Sequence, residues 1–315
     1  MMIEVILINS KKLALGMLCL ATVSGTVNAA SLYKTDDSKL NIGGRVEARA
    51  ENNDHNISDL SRTRLKISGE IKLTETISGI GVFEQEFKAK SEKTRHLYVG
   101  IKAALDNGYA TLVYGKTDGS MSVVTDITDI QAAYGAVAAD KFKVGKRVAN
   151  SLATTYTNDF GTTLSANYAG AEGTSKGDFD GGFSIAGAQA IGDSGFTTAI
   201  GYAKQAKVQQ QSKQQFDIGL GYQLDKLYLG TLYTRQKVKG KTGNGYDVVA
   251  AYKINSRYKA TIGFGELNFD QADDTRAVNA DITARWNSQF RTYAAINFDT
   301  VHNDIQQMIG IRYDF

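Results

Sequence analysis

From Leu40 to Ala50 the chain alternates. Leu40, Ile42, Gly44, Val46, Ala48 and Ala50 take every second position, with Asn41, Gly43, Arg45, Glu47 and Arg49 between them. A period of two belongs to an extended strand with one apolar and one polar face. The next segment, Arg62 to Leu73, sets Thr63, Leu65, Ile67, Gly69, Ile71 and Leu73 against Arg62, Arg64, Lys66, Ser68, Glu70 and Lys72. Asp304 to Phe315 repeats the pattern, with Ile309, Ile311, Tyr313 and Phe315 opposed to Gly310, Arg312 and Asp314. The same template predicts sixteen strands, beginning near Leu40, Ser61, Ile77, Arg95, Gly108, Ala149, Thr162, Gly181, Phe196, Gln214, Lys226, Gly245, Tyr258, Arg276, Arg291 and Asp304. Clusters such as Asp106-Asn107-Gly108, Asn158-Asp159-Phe160-Gly161, Gly192-Asp193-Ser194-Gly195 and Asn255-Ser256 read as the turns between them. The expected fold is all-β.

Ahead of the first strand, Lys11 and Lys12 precede an apolar run from Leu13 to Val23, and small and polar residues follow to Ala29 and Ala30. That order reads as a secretory signal with its cleavage site, so residues 1–29 are set aside as a signal peptide and residues 30–315 as the folded unit. A membrane anchor would need a longer apolar run. A start site assigned too far upstream would account for the apolar stretch Ile3 to Ile8. Cys19 lies inside the signal, and Gly16-Met17-Leu18 before it is not the small-residue pattern of a lipoprotein site. The remaining 315 − 29 = 286 residues contain no Cys, so the exported chain carries no disulfide.

Composition then narrows the class. A net charge of +3 fits neither a nucleic-acid binder nor an acidic disordered tail. Mean hydropathy is only −0.26, and no downstream stretch approaches the roughly 18 consecutive apolar residues of a spanning helix. An even number of alternating strands, each of about ten residues, in an exported chain predicts a transmembrane antiparallel β-barrel in the outer membrane. Lipid offers the backbone no hydrogen bonds, so a sheet spans only by closing on itself. Tight turns such as Leu73 to Ile77 alternate with longer links such as Asn52 to Leu60, the asymmetry expected of periplasmic turns and outer loops. Tyr98, Tyr109, Tyr156, Phe160, Tyr222, Tyr228, Tyr252, Tyr258 and Tyr313 fall near strand ends and are expected in interfacial girdles.

One link breaks the rule. Residues 117–148 lack sustained alternation, yet Val123, Val124, Ile127, Ile130, Ala132, Ala133, Tyr134 and Ala136 make them too apolar for a solvated tail. This segment is expected to fold into the barrel.

Ala30-Ser31-Leu32-Tyr33-Lys34, Arg64-Leu65 with Gly69-Glu70, Tyr114-Gly115-Lys116 with Gly119, Val144-Gly145 with Arg147-Val148, and the ending Ile311-Arg312-Tyr313-Asp314-Phe315 stand out as motifs. Together they resemble the general diffusion porins of Gram-negative outer membranes, of the sixteen-stranded trimeric class. The resemblance implies a passive channel for small hydrophilic solutes and ions, without cofactor. It also implies a homotrimer set among outer-membrane lipid and lipopolysaccharide, with Tyr313 and Phe315 as the signal read by the barrel-assembly machinery.

In that family the third outer loop narrows the pore, its acids facing a basic wall. The wall carries over to Arg45, Arg64, Lys116 and Arg147, with Lys146 as a competing alignment for the last. Thr128-Asp129-Ile130 resembles the acidic approach, and Asp126 and Asp129 are the loop acids assigned to the constriction, beside Asp118 and Asp140. Tyr134-Gly135 stands where the family has Phe-Gly, and Ala132-Ala133 replaces the Pro-Glu before it. Without that carboxylate the expected selectivity is weak and leans less towards cations.

Rival readings are a substrate-specific channel for anions or sugars and an outer-membrane barrel enzyme. Arg62, Arg64 and Lys66 begin an arginine and lysine ladder of the kind an anion channel uses. Glu84 and Glu86 sit two apart on one strand face, the arrangement of a general acid and base, but paired lumen carboxylates are far commoner in charged pores. His55, His96 and His302 lie apart in sequence with no Cys near them, which supports neither a metal site nor a triad. Gly240-Lys241-Thr242 imitates a phosphate loop, but Arg235 occupies the required glycine position. Gln209-Gln210-Gln211 with Gln214-Gln215 reads as a loop tip entering the tenth strand.

Overall fold

The structure, a computed structural model, describes residues 30–53, 56–135, 137–138, 140–171, 181–208, 211–238, 240–270 and 274–315. The expected signal, residues 1–29 with Cys19, lies outside the described residues, as do His55, Ala136, Gln209 and Gln210. Sixteen strands form the wall. The first eight are β1 (Ser38–Asn53), β2 (Arg62–Lys72), β3 (Ile77–Lys88), β4 (Ser91–Leu105), β5 (Gly108–Thr117), β6 (Val148–Asn158), β7 (Thr162–Ala169) and β8 (Gly182–Ala190). The rest are β9 (Phe196–Val208), β10 (Gln211–Leu224), β11 (Leu227–Val238), β12 (Lys241–Lys253), β13 (Tyr258–Phe269), β14 (Thr275–Arg285), β15 (Phe290–Asp299) and β16 (Asp304–Asp314). Each pairs antiparallel with its sequence neighbour, and β16 pairs with β1 from Gln306 opposite Asn53 to Asp314 opposite Arg45. The ring is closed and no wall strand has a free edge, the condition for a sheet in lipid.

Two short segments lie outside the ring count. Ala30–Lys34 folds back on β1, with Ala30 opposite Ile42, and Asn56–Asp59 forms a small ladder with the end of β1. Ala30 and Phe315 therefore lie at one end of the barrel, here the terminal end. The opposite, loop end carries the connection between β5 and β6.

Alternation sorts the side chains as the sequence pattern predicts. Outward positions expose Val99 (66%), Leu152, Ile185, Ile200, Leu229, Ile262 and Ile309 (66%), the apolar band that faces lipid. Inward positions carry Glu47, Gln215, Asp217, Thr234 and Asp247, all buried. The aromatic expectation holds for Tyr156, Tyr222, Tyr252, Tyr258 and Tyr313, on outward rows near the terminal end, and Phe196 stacks on Tyr222 at 4.3 Å. Tyr168, Phe183, Tyr202, Tyr233 and Tyr246 make a second outward band towards the loop end. Tyr98, Tyr109 and Tyr228 depart from it. Their rows face the lumen, because β4, β5 and β11 place Gly100, Val113 and Leu232 on the same inward parity.

The loop-length asymmetry is only partial. Three loop-end links hold two residues each, since Lys88 pairs with Ser91, Val208 with Gln211 and Val238 with Lys241. Long polar strand ends extend these hairpins instead. Gly240, at φ +79°, turns the link that imitated a phosphate loop.

The hydrophobic core lies inside the barrel, between the wall and the β5–β6 connection. Val124 and Ile127 pack on Ala186, Ala188, Ala199 and Leu232, while Met121 and Val144 pack on Val148, Ala169 and Ala203. An extended link of this length carries backbone groups that need partners, and the inward row supplies them.

Candidate functional site

The connection from Asp118 to Arg147 contains one helical turn, α1 (Ser122–Thr125), and a 3₁₀ turn at Lys143–Gly145. Its path follows the inner wall from β7 round to β1 and back. Ser120 N–H donates to Asn167 Oδ1 (2.8 Å) on β7, and its hydroxyl to Ser184 Oγ (2.7 Å) on β8. The Tyr228 hydroxyl of β11 donates to the Ile127 carbonyl (2.8 Å), Lys259 of β13 to the Ile130 carbonyl (3.2 Å), and Ala132 N–H to Asp281 of β14 (3.1 Å). At the far end the Tyr134 hydroxyl donates to Glu51 Oε1 of β1 (3.0 Å). On the return, Val137 and Ala138 N–H both donate to Asp247 Oδ1 (2.9 Å), and Phe142 N–H to Gln215 Oε1 (3.1 Å).

The wall beneath is cut away to admit this path. A Cβ on Gly201 would stand 2.9 Å from Met121 Sδ, one on Gly219 2.7 Å from Ile127 Cδ1, and one on Gly265 2.6 Å from Val137 Cβ. A Cβ on Gly230 would strike the Ile127 carbonyl oxygen itself. These glycines are inward residues of β9, β10, β11 and β13, and a Cβ at any of them would crowd the path of the loop.

The remaining wall, β15 and β16 through β1 to β4, carries a row of charges. Arg291 and Arg312 hold Asp314 at 2.8 and 2.6 Å. Arg62 holds Glu47 at 2.5 Å, Arg64 holds Glu86 at 2.5 Å, and Arg95 holds Glu84 at 2.5 Å. Arg45 stands directly opposite Arg64 in the ladder. Its nearest carboxylate is Glu47 at 4.0 Å, and its buried Nε has no hydrogen-bond partner. Glu84 and Glu86, the pair with the spacing of an acid and base, are thus each held by arginine.

Of the residues assigned from sequence, Arg45 and Arg64 sit together in this row. Arg147 does not join them; it holds Asp118 at 2.6 Å, clamping the two roots of the loop, with His96 3.7 Å from the same carboxylate. Lys146 pairs with Asp140 at 2.6 Å. Lys116 stands opposite Leu97, an outward position, so it is set apart from the row and Arg95 occupies that part of the wall. The reason is local. Lys116 keeps the even parity of Leu112 and Tyr114, both exposed outward, while a bulge between Glu84 and Gln85 brings Arg95 inward on β4.

The loop acids differ from one another. Asp129 is exposed on the loop. Asp126 is partly buried, and burial pushes its carboxyl up to about 6, against the pull of Lys141. The Tyr134 hydroxyl is pushed well above its ordinary range, by burial and then by its bond to Glu51. Tyr313 and Phe315 stack at 6.3 Å beside the seam that closes the ring.

This geometry has known counterparts. The family profile described as Gram-negative porin matches residues 14–306. Porin-like protein L of Photobacterium profundum is 31% identical over 98% of this chain and 100% of its own. Outer membrane protein U of Vibrio parahaemolyticus is 28% identical over 96% and 98% of the two chains. Among solved structures, Salmonella typhi OmpF in complex with daunomycin superposes with a TM-score of 0.79 at 18% identity, over 91% of this chain and 100% of that one. A closed sixteen-stranded barrel with a lipid-facing apolar band and a polar interior, matched over most of its length, is an outer-membrane diffusion channel and not an enzyme: the chain belongs to the Gram-negative porin family.

Proposed function

We propose that small hydrophilic solutes and ions cross this channel passively, down their gradients, through a gap between the loop and the arginine row. The single observation that carries the reading is the loop's course along the β7–β14 wall, with only its tip, Ala132 to Tyr134, reaching β15, β16 and β1, so that the arginine row on β15 to β4 stands as the bare side. On the bare side Arg45, Arg62, Arg64, Arg95, Arg291 and Arg312 exceed Glu47, Glu84, Glu86 and Asp314 by 6 − 4 = 2 charges. Asp126 and Asp129 on the loop oppose them. Arg147 with Asp118, and Lys146 with Asp140, cancel within the loop, and Lys116 contributes at the rim. Charge selectivity is therefore weak, with a transverse field across the gap that orients dipolar solutes.

In this proposal residues 1–29 are removed on export, the mature chain assembles as a homotrimer among lipid and lipopolysaccharide, and Tyr313 with Phe315 directs it to the barrel-assembly machinery. Single-channel conductance in a planar bilayer, with a salt gradient and neutral sugars of increasing size, tests the reading. The expected result is ohmic steps in threes, a sharp size cutoff and a small reversal potential. Folded barrels that conduct nothing would overturn it, and a large anion reversal potential would replace it with the anion-specific channel.

A further inference from the structure

A niche of about 250 Å³ opens under the root of the loop, on its terminal-end side. It is far too large for one or two waters and sits just below the usual size of small-molecule pockets. Tyr98 of β4 and Thr117 of β5 form its sides, Asp118 and Ser122 its roof, and Thr155 and Ser165 its far wall.

The polar groups here are unevenly satisfied. Thr155 and Ser165 hydroxyls bond each other at 3.2 Å. The hydroxyls of Tyr98, Thr117 and Ser122 have no hydrogen-bond partner among the described residues. Asp118 spends one oxygen on Arg147 at 2.6 Å, while His96 is 3.7 Å from the other, and its side chain remains 46% exposed.

Charge and polarity decide what fits. An anion would meet the Asp118 carboxylate. A cation would compete with Arg147, already seated on that carboxylate. An apolar molecule would strip water from three hydroxyls and return no hydrogen bond. A neutral polyol satisfies every group, because its hydroxyls donate to Asp118 and accept from Tyr98, Thr117 and Ser122. Its C–H face can pack on the Tyr98 ring.

We propose that this niche is a binding site for a neutral polyhydroxylated solute of monosaccharide size, just beyond the loop on the terminal-end side. The proposal rests on the channel reading above. Such a site makes sugar passage saturable, where a bare pore only sieves by size.

The test measures single-channel current against glucose concentration, with triethylene glycol, which offers few hydroxyl donors, as the reference solute. The wild-type channel is expected to lose conductance along a saturating curve with glucose, beyond the linear fall that viscosity gives both solutes. Thr117→Val with Ser122→Ala raises the half-saturating concentration about tenfold, as the loss of two hydrogen bonds requires. Tyr98→Phe, which keeps the ring and removes one hydroxyl, raises it by a smaller factor and stands in if the double variant does not fold. Reversal potential in a salt gradient stays unchanged in both, since neither alters a charge. A purely linear response in a conducting wild-type channel, or saturation unmoved in a folded variant, would overturn the site and leave the channel intact. Absence of any conductance from folded barrels would instead overturn the channel reading.

Discussion

Gly44 and Phe315 exchange both backbone hydrogen bonds, Gly44 N–H to the Phe315 carbonyl at 2.8 Å and Phe315 N–H to the Gly44 carbonyl at 3.0 Å. They form the last rung of the seam between β16 and β1. The Phe315 ring covers Gly44, where a Cβ would stand 2.8 Å from Cζ and would also collide with the Arg64 carbonyl oxygen. Deleting Phe315 therefore removes a rung as well as an aromatic terminus. Deletion is expected to cut the yield of heat-modifiable barrel strongly, and Phe315→Ala, which keeps the rung, to cut it less. Equal yields from the two variants would assign the whole effect to the ring, and a normal yield after deletion would end its role in assembly.

Neutralising Arg45 and Arg64 together to Gln shifts the reversal potential towards cations. Arg45 has no close carboxylate of its own, and Glu86 retains Arg62 at 3.7 Å and Arg95 at 3.9 Å once Arg64 is gone. The row then loses its charge excess without abandoning a carboxylate. A two- to threefold change in the permeability ratio corresponds to roughly 0.4–0.6 kcal/mol, the scale of screened charges in a wet pore. An unchanged potential in a salt gradient would remove both arginines from the narrowest passage.

Asp126 predicts a pH dependence with a definite sign. Its carboxyl titrates at about 6, raised from 3.8 by burial, with Lys141 and Arg147 pulling down and Asp129 and Asp118 pushing up. A raised acid binds its proton more readily in the folded state, so its contribution to stability falls as pH rises from about 4 to about 6. The folded loop gains this charge around the raised value itself, between pH 5 and pH 7. Cation preference is expected to rise between pH 5 and pH 7 in the wild type and to lose that component in Asp126→Asn, read as reversal potential against pH.

The glycine-lined bed of the loop separates two substitutions of similar size. Gly219→Ala clashes with Ile127 Cδ1, which can swing aside, and otherwise makes ordinary contact with Val124, whereas Gly230→Ala meets the Ile127 backbone oxygen. Overpacking of the second kind typically costs about 1–3 kcal/mol, and here it falls on a loop that can move off the wall. Gly230→Ala is expected to raise conductance and widen the sugar cutoff while barrel mobility on gels stays normal. Gly219→Ala is expected to change little, and equal effects would mean that the loop does not rest on these positions.

Much of the wall was legible in the sequence, because period-two patterning survives every strand. The starts at Ile77, Gly108, Thr162, Phe196, Tyr258 and Asp304 coincide with the observed ones. Strands β4, β10 and β12 begin three or four residues earlier than their alternation, since polar hairpin ends carry no apolar row to count. The site was legible only where parity held. Arg45 and Arg64 lie on clean alternating rows, while Arg95 sits at a bulge that changes the face simple counting assigns, and Lys116 rests on the family motif against its own alternation with Leu112 and Tyr114. The bed glycines were visible as small residues on the polar face. Nothing local in their sequence tells that a distant loop lies on them.

The route of the loop also imposes an order on folding. Met121, Val124 and Ile127 are synthesised before most of the wall that buries them, and Ala132 meets its partner Asp281 149 residues further along the chain. Contacts this distant in sequence form late, because the entropy of closing so large a segment must be met first. Until β8 to β14 assemble, the loop's apolar side chains have no wall to rest against. Docking of the loop therefore follows assembly of β8 to β14, so that the pore's narrowest part is completed late, after most of the wall is built.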